Sequence, residues 1–221
     1  GSFTVFTLDM VASHKRKLHL ANAIEQSLSQ NEFEVYYQVK VNKHAEIVGL
    51  EALLRWDHPE FGMVMPSEFI PIAEQGGKIS AITQWVIERV SEDLPRLRQW
   101  LNKRFRVSIN LSGHDLRNSH LFDNIYTVFQ SYQVNPEYVE FEVTESAYLE
   151  NFALSNKFFK RMSNMGCAIA LDDFGTGYSS LSYLTQISID TLKIDKQFIR
   201  ELETSERSQL VTGAIIDLAK R

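Results

Sequence analysis

The chain places acidic, amide or ammonium side chains at the ends of five predicted β-strands, and this pattern most constrains its fold. Acids at the ends of buried strands cost free energy unless something compensates them. Because helical patterns separate these strands, the repeated β–α units predict a parallel sheet with helices outside it. We therefore expect one acidic site at one rim of a barrel. The strands are Val48–Trp56, Val107–Ser112, Val139–Glu145, Ala168–Asp173 and Thr191–Asp195.

A sixth predicted strand precedes these five and forms a hairpin with the first of them. The segment Glu34–Val41 alternates between polar and apolar residues, and strand character resumes at Ile47–Trp56 after the polar segment 42–46. Two strands separated by so few residues must run antiparallel, because a parallel pair needs a crossover connection. The sequence therefore predicts an α/β fold, a TIM-type (β/α) barrel whose first strand is antiparallel.

Apolar residues at helical spacing predict a helix in most of the connections between strands. Gly166 is predicted to end one of these helices. The segment from Pro59 to Pro71 is predicted to be a loop region. The predicted helices cover residues 14–30, 79–100, 120–132, 151–165, 180–184 and 204 to the end.

Alternation along the strands predicts which polar side chains share a face. If those faces converge at a barrel rim, they bring several carboxylates together, and like charges raise each other's pKa. A divalent cation removes that conflict, and an all-oxygen set of ligands suits Mg²⁺ or Mn²⁺ rather than Zn²⁺. The predicted set is Glu51, Asn110, Glu142, Asp172, Asp173 and Lys193.

Taken singly, most of these polar residues also have an ordinary structural interpretation, with Asp172–Asp173 the exception. Lys193 is consistent with a simple ion pair to a nearby carboxylate, and segment 110–112 with a turn or a helix N-cap. Glu145 fits the start of a helix, where negative charge is favourable. Glu140 is expected to be a solvated or paired acid at the surface.

Charge and composition exclude several classes of function. The formal net charge is -5 without a long basic run, so we expect no binding of duplex nucleic acid. The one cysteine, Cys167, cannot form an intramolecular disulfide and is expected to be a small core residue. No apolar stretch approaches the roughly 20 residues of a membrane span, and no signal peptide is apparent. We therefore expect a cytoplasmic protein, or the cytosolic domain of a membrane-anchored one.

Five motifs in a fixed order identify a resemblance that covers the chain from about residue 17 to its end. They are Glu51-Ala52-Leu53-Leu54-Arg55, Asn110-Leu111-Ser112, Glu142-Val143-Thr144-Glu145-Ser146, Asp172-Asp173-Phe174-Gly175-Thr176-Gly177 and Lys193-Ile194-Asp195. Their order resembles that of the EAL-domain phosphodiesterases of bacteria, which hydrolyse cyclic di-GMP to the linear dinucleotide pGpG. Residues 1–16, which begin with Gly-Ser rather than Met, are expected to be a scar and lead-in within a longer protein that has other domains.

The resemblance implies a metal site and a set of catalytic residues. Glu51, Asn110, Glu142 and Asp172 match the family's metal ligands, and Asp173 matches the residue that holds a second metal. Two Mg²⁺ or Mn²⁺ ions would then activate water for an in-line displacement. Lys193 matches the lysine near the attacking water, so the catalytic residues implied are Glu51, Asp173 and Lys193.

The resemblance also implies how the substrate and a surface loop are held. Gln38, Leu53 and Arg55 match positions that contact cyclic di-GMP. Glu145 matches an acid that tethers the loop at 173–184, and this rim loop also implies a homodimer contact. The family continues beyond the end of the match with two more β–α units, so C-terminal units are expected to be missing from this chain.

Two alternatives to the phosphodiesterase remain from the sequence. The first is a non-catalytic cyclic di-GMP receptor or regulatory module, which the expected absence of the last β–α units favours. The second is a barrel lyase or aldolase in which Lys193 forms a Schiff base. That chemistry needs a desolvated lysine, whereas several nearby acids would keep Lys193 charged.

Overall fold

A parallel sheet with antiparallel strands at its first edge forms the centre of the molecule in a computed structural model, which describes residues 8–101, 104–175 and 181–220. The strands are β1 (Phe33–Val41), β2 (Ile47–His58), β3 (Gly62–Val64), β4 (Arg106–Asn110), β5 (Val139–Thr144), β6 (Ala168–Phe174) and β7 (Thr191–Ile194). The strand order is β1-β2-β4-β5-β6-β7, with β3 paired to β2. Among the described strands, β1–β2 and β2–β3 pair antiparallel and the other neighbours pair parallel. The predicted TIM-like barrel fold with an antiparallel first strand is therefore confirmed.

Helices flank this sheet and complete the β–α alternation. They are α1 (Leu8–Ser29), α2 (Pro66–Gln75), α3 (Ile79–Leu101), α4 (Gly113–Leu116), α5 (Leu121–Ser131), α6 (Glu145–Glu150), α7 (Phe152–Met165), α8 (Lys196–Arg200) and α9 (Glu206–Ala219). Short 3₁₀ turns lie at Pro136–Tyr138 and Leu181–Gln186. Within the described ranges, none of these helices has the length and apolar character needed to cross a membrane.

The prediction of a loop from Pro59 to Pro71 is wrong, because β3 and the first half of α2 lie there. Pro66 occupies the first turn of α2, where the missing N–H of proline costs nothing. Pro71 lies inside the helix, and the buried side chains of Phe69 and Ile72 hold this segment against the core. Tertiary packing has therefore overridden the local tendency of proline to break a helix.

Several predicted boundaries also differ from the observed ones. The first helix already includes Leu8, ahead of its predicted start at residue 14, and the short helices α4 and α8 were not predicted. Helix α6 begins at Glu145, which agrees with the interpretation of this residue as the start of a helix. Of the two structural interpretations of segment 110–112, a turn or an N-cap, the N-cap is present at Ser112, whose hydroxyl accepts a hydrogen bond from the Asp115 amide. Gly166 ends α7 in a left-handed conformation with φ 111°, as its sequence position indicates.

The core divides into a larger and a smaller apolar cluster. The larger one packs β4, β5 and β6 against α3, α5 and α7, and it includes Cys167, which is buried as predicted. The smaller one joins α1 and α2 to the β1–β2 hairpin. Its centre is Trp56, which is fully buried and stacks on Phe33 at 4.8 Å between ring centroids. These clusters lie outside the sheet and leave its inner face to polar residues.

Candidate active site

The parallel register brings polar residues of neighbouring strands side by side on the inner face of the sheet. Glu51 of β2 pairs with Ser108 of β4, and Ser108 in turn pairs with Glu140 of β5. Asn110 of β4 pairs with Glu142 of β5. Because side chains alternate along each strand, these residues share one face and form two layers, one nearer the carboxyl ends of the strands.

The outer layer is a set of oxygen-bearing side chains gathered around one ammonium group. Lys193 Nζ lies 2.5 Å from Glu142 Oε2 and 3.0 Å from Asp172 Oδ2. It also lies 3.3 Å from Glu51 Oε2, and Asn110 Nδ2 donates to Glu51 Oε1 at 3.2 Å. Burial alone would lower the pKa of Lys193, but the bond to Glu142 and the charges of the three carboxylates raise it. We call Glu51, Asn110, Asp172 and Lys193, together with Glu142 Oε2, the rim cluster.

The rim cluster has the donor chemistry of a magnesium or manganese site. Among the residues that the structure describes, no three acidic, histidine or cysteine side chains have the spacing of a preformed metal site. The three carboxylates instead converge on the Lys193 ammonium, so the point at which they meet attracts positive charge. Carboxylate and amide oxygens are the ligands that Mg²⁺ and Mn²⁺ prefer, and the residues present therefore fit such an ion.

Asp173 lies beside the rim cluster on a strained turn of the backbone. Its φ of 52° is in the left-handed region, which a non-glycine residue adopts at a cost of roughly 1 kcal/mol. The Asp173 amide donates to Asp172 Oδ1 at 2.8 Å. Burial, and then the charges of Asp172 and Asp195, raise the pKa of Asp173. The turn places two adjacent acids near the same rim, where a straight strand would point them apart.

The inner layer, which was not predicted, contains Lys40 and the acid Glu140. Lys40 Nζ lies 3.0 Å from Glu140 Oε1 and 2.5 Å from Glu142 Oε1, and it also donates to Ser108 Oγ. Ser108 Oγ and Thr191 Oγ1 donate to the two oxygens of Glu140 at 2.5 Å and 2.9 Å. We call Lys40, Ser108, Glu140 and Thr191, together with Glu142 Oε1, the inner cluster.

The inner cluster corrects the expectation for Glu140. This side chain is buried rather than at the surface, although it is paired. Burial by itself raises the pKa of Glu140, but the hydrogen bond from Ser108 and the charge of Lys40 together hold the pKa below its usual range. The inward position of Lys40 could have been inferred from its partner in the hairpin, Gly49. A glycine there leaves room for a long side chain to turn inward.

The predicted substrate positions lie on the β1–β2 hairpin next to the rim cluster. Gln38 pairs with Glu51 across the hairpin and is exposed. Leu53 pairs with Tyr36, whose ring is 50% exposed and was not predicted as part of the site. The Arg55 guanidinium lies 5.5 Å from the centre of that ring. The hairpin therefore presents an open surface with hydrogen-bonding, cationic and aromatic groups.

Glu145 begins α6 and contacts both ends of the segment that follows β6. Its Oε2 accepts from the Gly175 amide at 3.2 Å, and its Oε1 accepts from the Tyr183 hydroxyl at 2.6 Å. Thr144 caps the same helix by accepting from the Ala147 amide. Much of the predicted loop, residues 176–180, lies outside the described residues. The contacts of Glu145 are those expected of an acid that fixes the two ends of this loop.

Comparisons of the sequence and of the structure with known proteins agree on one family. The family model described as EAL domain matches residues 21–221. Cyclic di-GMP phosphodiesterase PdeR of Escherichia coli is 35% identical over 224 residues, which cover 100% of this chain and 33% of that protein. The bifunctional diguanylate cyclase/cyclic di-GMP phosphodiesterase MucR of Pseudomonas aeruginosa is 33% identical and covers 100% of this chain and 32% of its own.

A solved structure agrees with these sequence relatives. The structure of the PaMucR phosphodiesterase in complex with c-di-GMP superimposes with a TM-score of 0.85 at 33% identity, covering 91% of this chain and 82% of that one. The chain spans about a third of the length of the two curated relatives, whose remaining parts have no counterpart in it.

Proposed function

Because the chain belongs to the EAL domain family, we propose that it hydrolyses cyclic di-GMP to the linear dinucleotide pGpG. The rim cluster carries this proposal, since three carboxylates and one amide from four different strands meet at one point. Relatives at 33% to 35% identity are named cyclic di-GMP phosphodiesterases, and the PaMucR structure holds c-di-GMP. The curated relatives are about three times as long as this chain, and the domain would accordingly act together with other domains.

The proposed cofactor is Mg²⁺ or Mn²⁺, two ions per site in the active state. Glu51, Asn110, Glu142 and Asp172 would hold the first ion, and Asp173 would contribute to the second. When bound, these ions activate water and stabilise the leaving oxygen of an in-line displacement. They also offset the repulsion between an acidic site and a negatively charged phosphodiester.

The protein side chains bind and orient the reacting groups. Lys193 donates to Glu51, Glu142 and Asp172 and places a positive charge beside them, so it would attract the attacking water and favour the charge that develops on the phosphate. Gln38 and Arg55 would donate hydrogen bonds to the dinucleotide, and Leu53 would supply apolar contact. This hairpin surface adjoins the rim through the pairing of Gln38 with Glu51.

Glu145 would stabilise the loop after β6 at both of its ends. Its buried carboxylate accepts from Gly175 and Tyr183, and hydrogen bonds to an ionised acceptor are about twice as strong as neutral ones. The same loop would contribute to a homodimer contact. Fixing the loop would also keep Asp173 in its turned position, because Gly175 follows it by only two residues.

Product analysis tests this proposal directly. The purified chain is incubated with cyclic di-GMP and either Mg²⁺ or Mn²⁺, and the nucleotides are separated by chromatography. We expect pGpG to accumulate with metal and to be absent after treatment with EDTA. Retained binding of cyclic di-GMP without any turnover would contradict the enzyme and support the receptor alternative.

A further inference from the structure

Glu142 occupies an unusual position between two lysine side chains. Its side chain is 0% exposed, and each of its two oxygens lies 2.5 Å from a different ammonium nitrogen. Lys193 contacts Oε2 from the rim cluster, and Lys40 contacts Oε1 from the inner cluster. A carboxylate held at both oxygens has one orientation available, so the two lysines together fix how Glu142 faces the rim.

Lys40 is itself held from several directions. It donates to Ser108 and Glu140 as well as to Glu142, which uses all three of its donor hydrogens. Thr191 holds the far oxygen of Glu140 at 2.9 Å, so the acid beneath Lys40 is also fixed. The stem of Lys40 lies beside Gly49, where an added Cβ would be 3.6 Å from the Lys40 Cδ atom. The ammonium therefore has little freedom to leave Glu142.

We propose, on the basis of the function proposed above, that Lys40 is a positioning residue for Glu142. It holds the inner oxygen, Oε1, and thereby presents Oε2 to the cation site at the rim. Lys40 does not reach the rim and contacts neither the substrate surface nor the other predicted ligands in the described part of the chain. Residues that orient a metal ligand in this way typically contribute about 10–100-fold in metal affinity or activity.

A purely structural role for Lys40 makes a different prediction. If its only task were to neutralise the buried acid Glu140, removing both charges together would restore the site. If Lys40 instead orients Glu142, removing both charges would restore stability and leave the metal site weakened. The pair of variants Lys40→Met and Lys40→Met/Glu140→Gln separates these two roles, because only the second keeps the net charge of the inner cluster.

Titration calorimetry with Mn²⁺ on the metal-free chain is the central measurement. We expect Lys40→Met to lower Mn²⁺ affinity by about tenfold or more. The double variant should bind Mn²⁺ as weakly as the single variant, although its urea unfolding midpoint should recover toward that of the wild type. Lys43→Met removes an exposed lysine of the same hairpin and serves as the matched control, with unchanged affinity. In turnover assays, kcat should fall with the single and the double variant while KM changes by no more than about twofold.

Three outcomes would overturn the inference. One is unchanged or tighter Mn²⁺ binding by Lys40→Met, which would mean that Lys40 only repels the cation. Another is recovery of affinity in the double variant, which would reduce Lys40 to a counter-charge for Glu140. The third is a wild-type chain that binds no Mn²⁺, which would also remove the metal from the proposed function. A wild type that binds Mn²⁺ but produces no pGpG would contradict the proposed function alone.

Discussion

The rim cluster and the inner cluster are built from the same types of residue but differ in charge balance, because negative charge is in larger excess at the rim. Both gather acids and a lysine on one face of the same sheet, and Glu142 belongs to both. In the inner cluster Lys40 faces Glu140, and two hydroxyl groups complete the hydrogen bonds. In the rim cluster Lys193 faces three carboxylates, with Asp173 close by.

The difference teaches that an acid on an inner strand position does not by itself mark a functional site. Glu140 is buried and fully paired, so it stabilises the fold, whereas the Glu51 and Asp172 side chains are 20% and 24% exposed. A partly exposed group of side chains with excess negative charge attracts a cation. Charge balance and exposure together therefore separate the two clusters, although residue types alone do not.

The largest expected effect comes from changing the rim. Glu51→Gln keeps the shape of the side chain and removes its charge, so we expect turnover of cyclic di-GMP to fall by about 10³-fold or more. The folded state should lose little, because relief of repulsion among the carboxylates offsets the lost contact with Lys193. The assay is pGpG formation with Mn²⁺, and the exposed Glu46→Gln is the control. A Glu51→Gln variant with wild-type turnover would remove Glu51 from the site.

A smaller effect, of a different kind, should follow a change in the inner cluster. Glu140→Gln replaces an ionised acceptor with a neutral amide, which weakens the hydrogen bonds from Ser108, Thr191 and Lys40. We therefore expect the free energy of unfolding to fall by about 2 kcal/mol. Urea unfolding measures this loss, with exposed Glu137→Gln as the matched control. A Glu140→Gln variant with full stability and abolished turnover would mean that Glu140 acts in turnover rather than in stability, and the two clusters would then not differ in role.

The smallest effect concerns the buried residue Cys167, which directly precedes β6. Burial raises the pKa of this thiol to about 12, so at pH 8 only roughly one thiol in ten thousand is ionised. A thiol reagent such as DTNB should therefore react with the native chain far more slowly than with the chain in urea. Because this is the one cysteine of the sequence, the reading is unambiguous. Rapid labelling of the native protein would mean that the Cys167 thiol is accessible to solvent.

Much of the fold and most of the rim could be predicted from the sequence. The twofold alternation along each strand fixed which side chains face inward, and the β–α order implied that strand ends meet at one rim. Those two regularities predict that Glu51, Asn110, Glu142 and Asp172 lie close together, and the structure does bring them together. Their assignment as metal ligands stays a prediction.

The inner cluster could not be predicted because it depends on register between distant strands. Lys40 meets Glu140 across 100 residues of sequence, and nothing near Lys40 indicates that partner. The opposing Gly49 becomes informative only when the hairpin register is known. The helix at Pro66–Gln75 was missed for a related reason, since burial of its apolar side chains outweighs the proline at position 71.

Lys193 has a consequence for the life of the chain before it performs any chemistry. The carboxylates of an acidic pocket repel one another unless a counter-ion lies among them. Here the counter-ion is covalently part of the polypeptide, because Lys193 lies on β7, downstream in the sequence of every acid that it contacts. We therefore expect the carboxylates of the rim cluster to stay together in the folded chain whether or not a metal ion is bound.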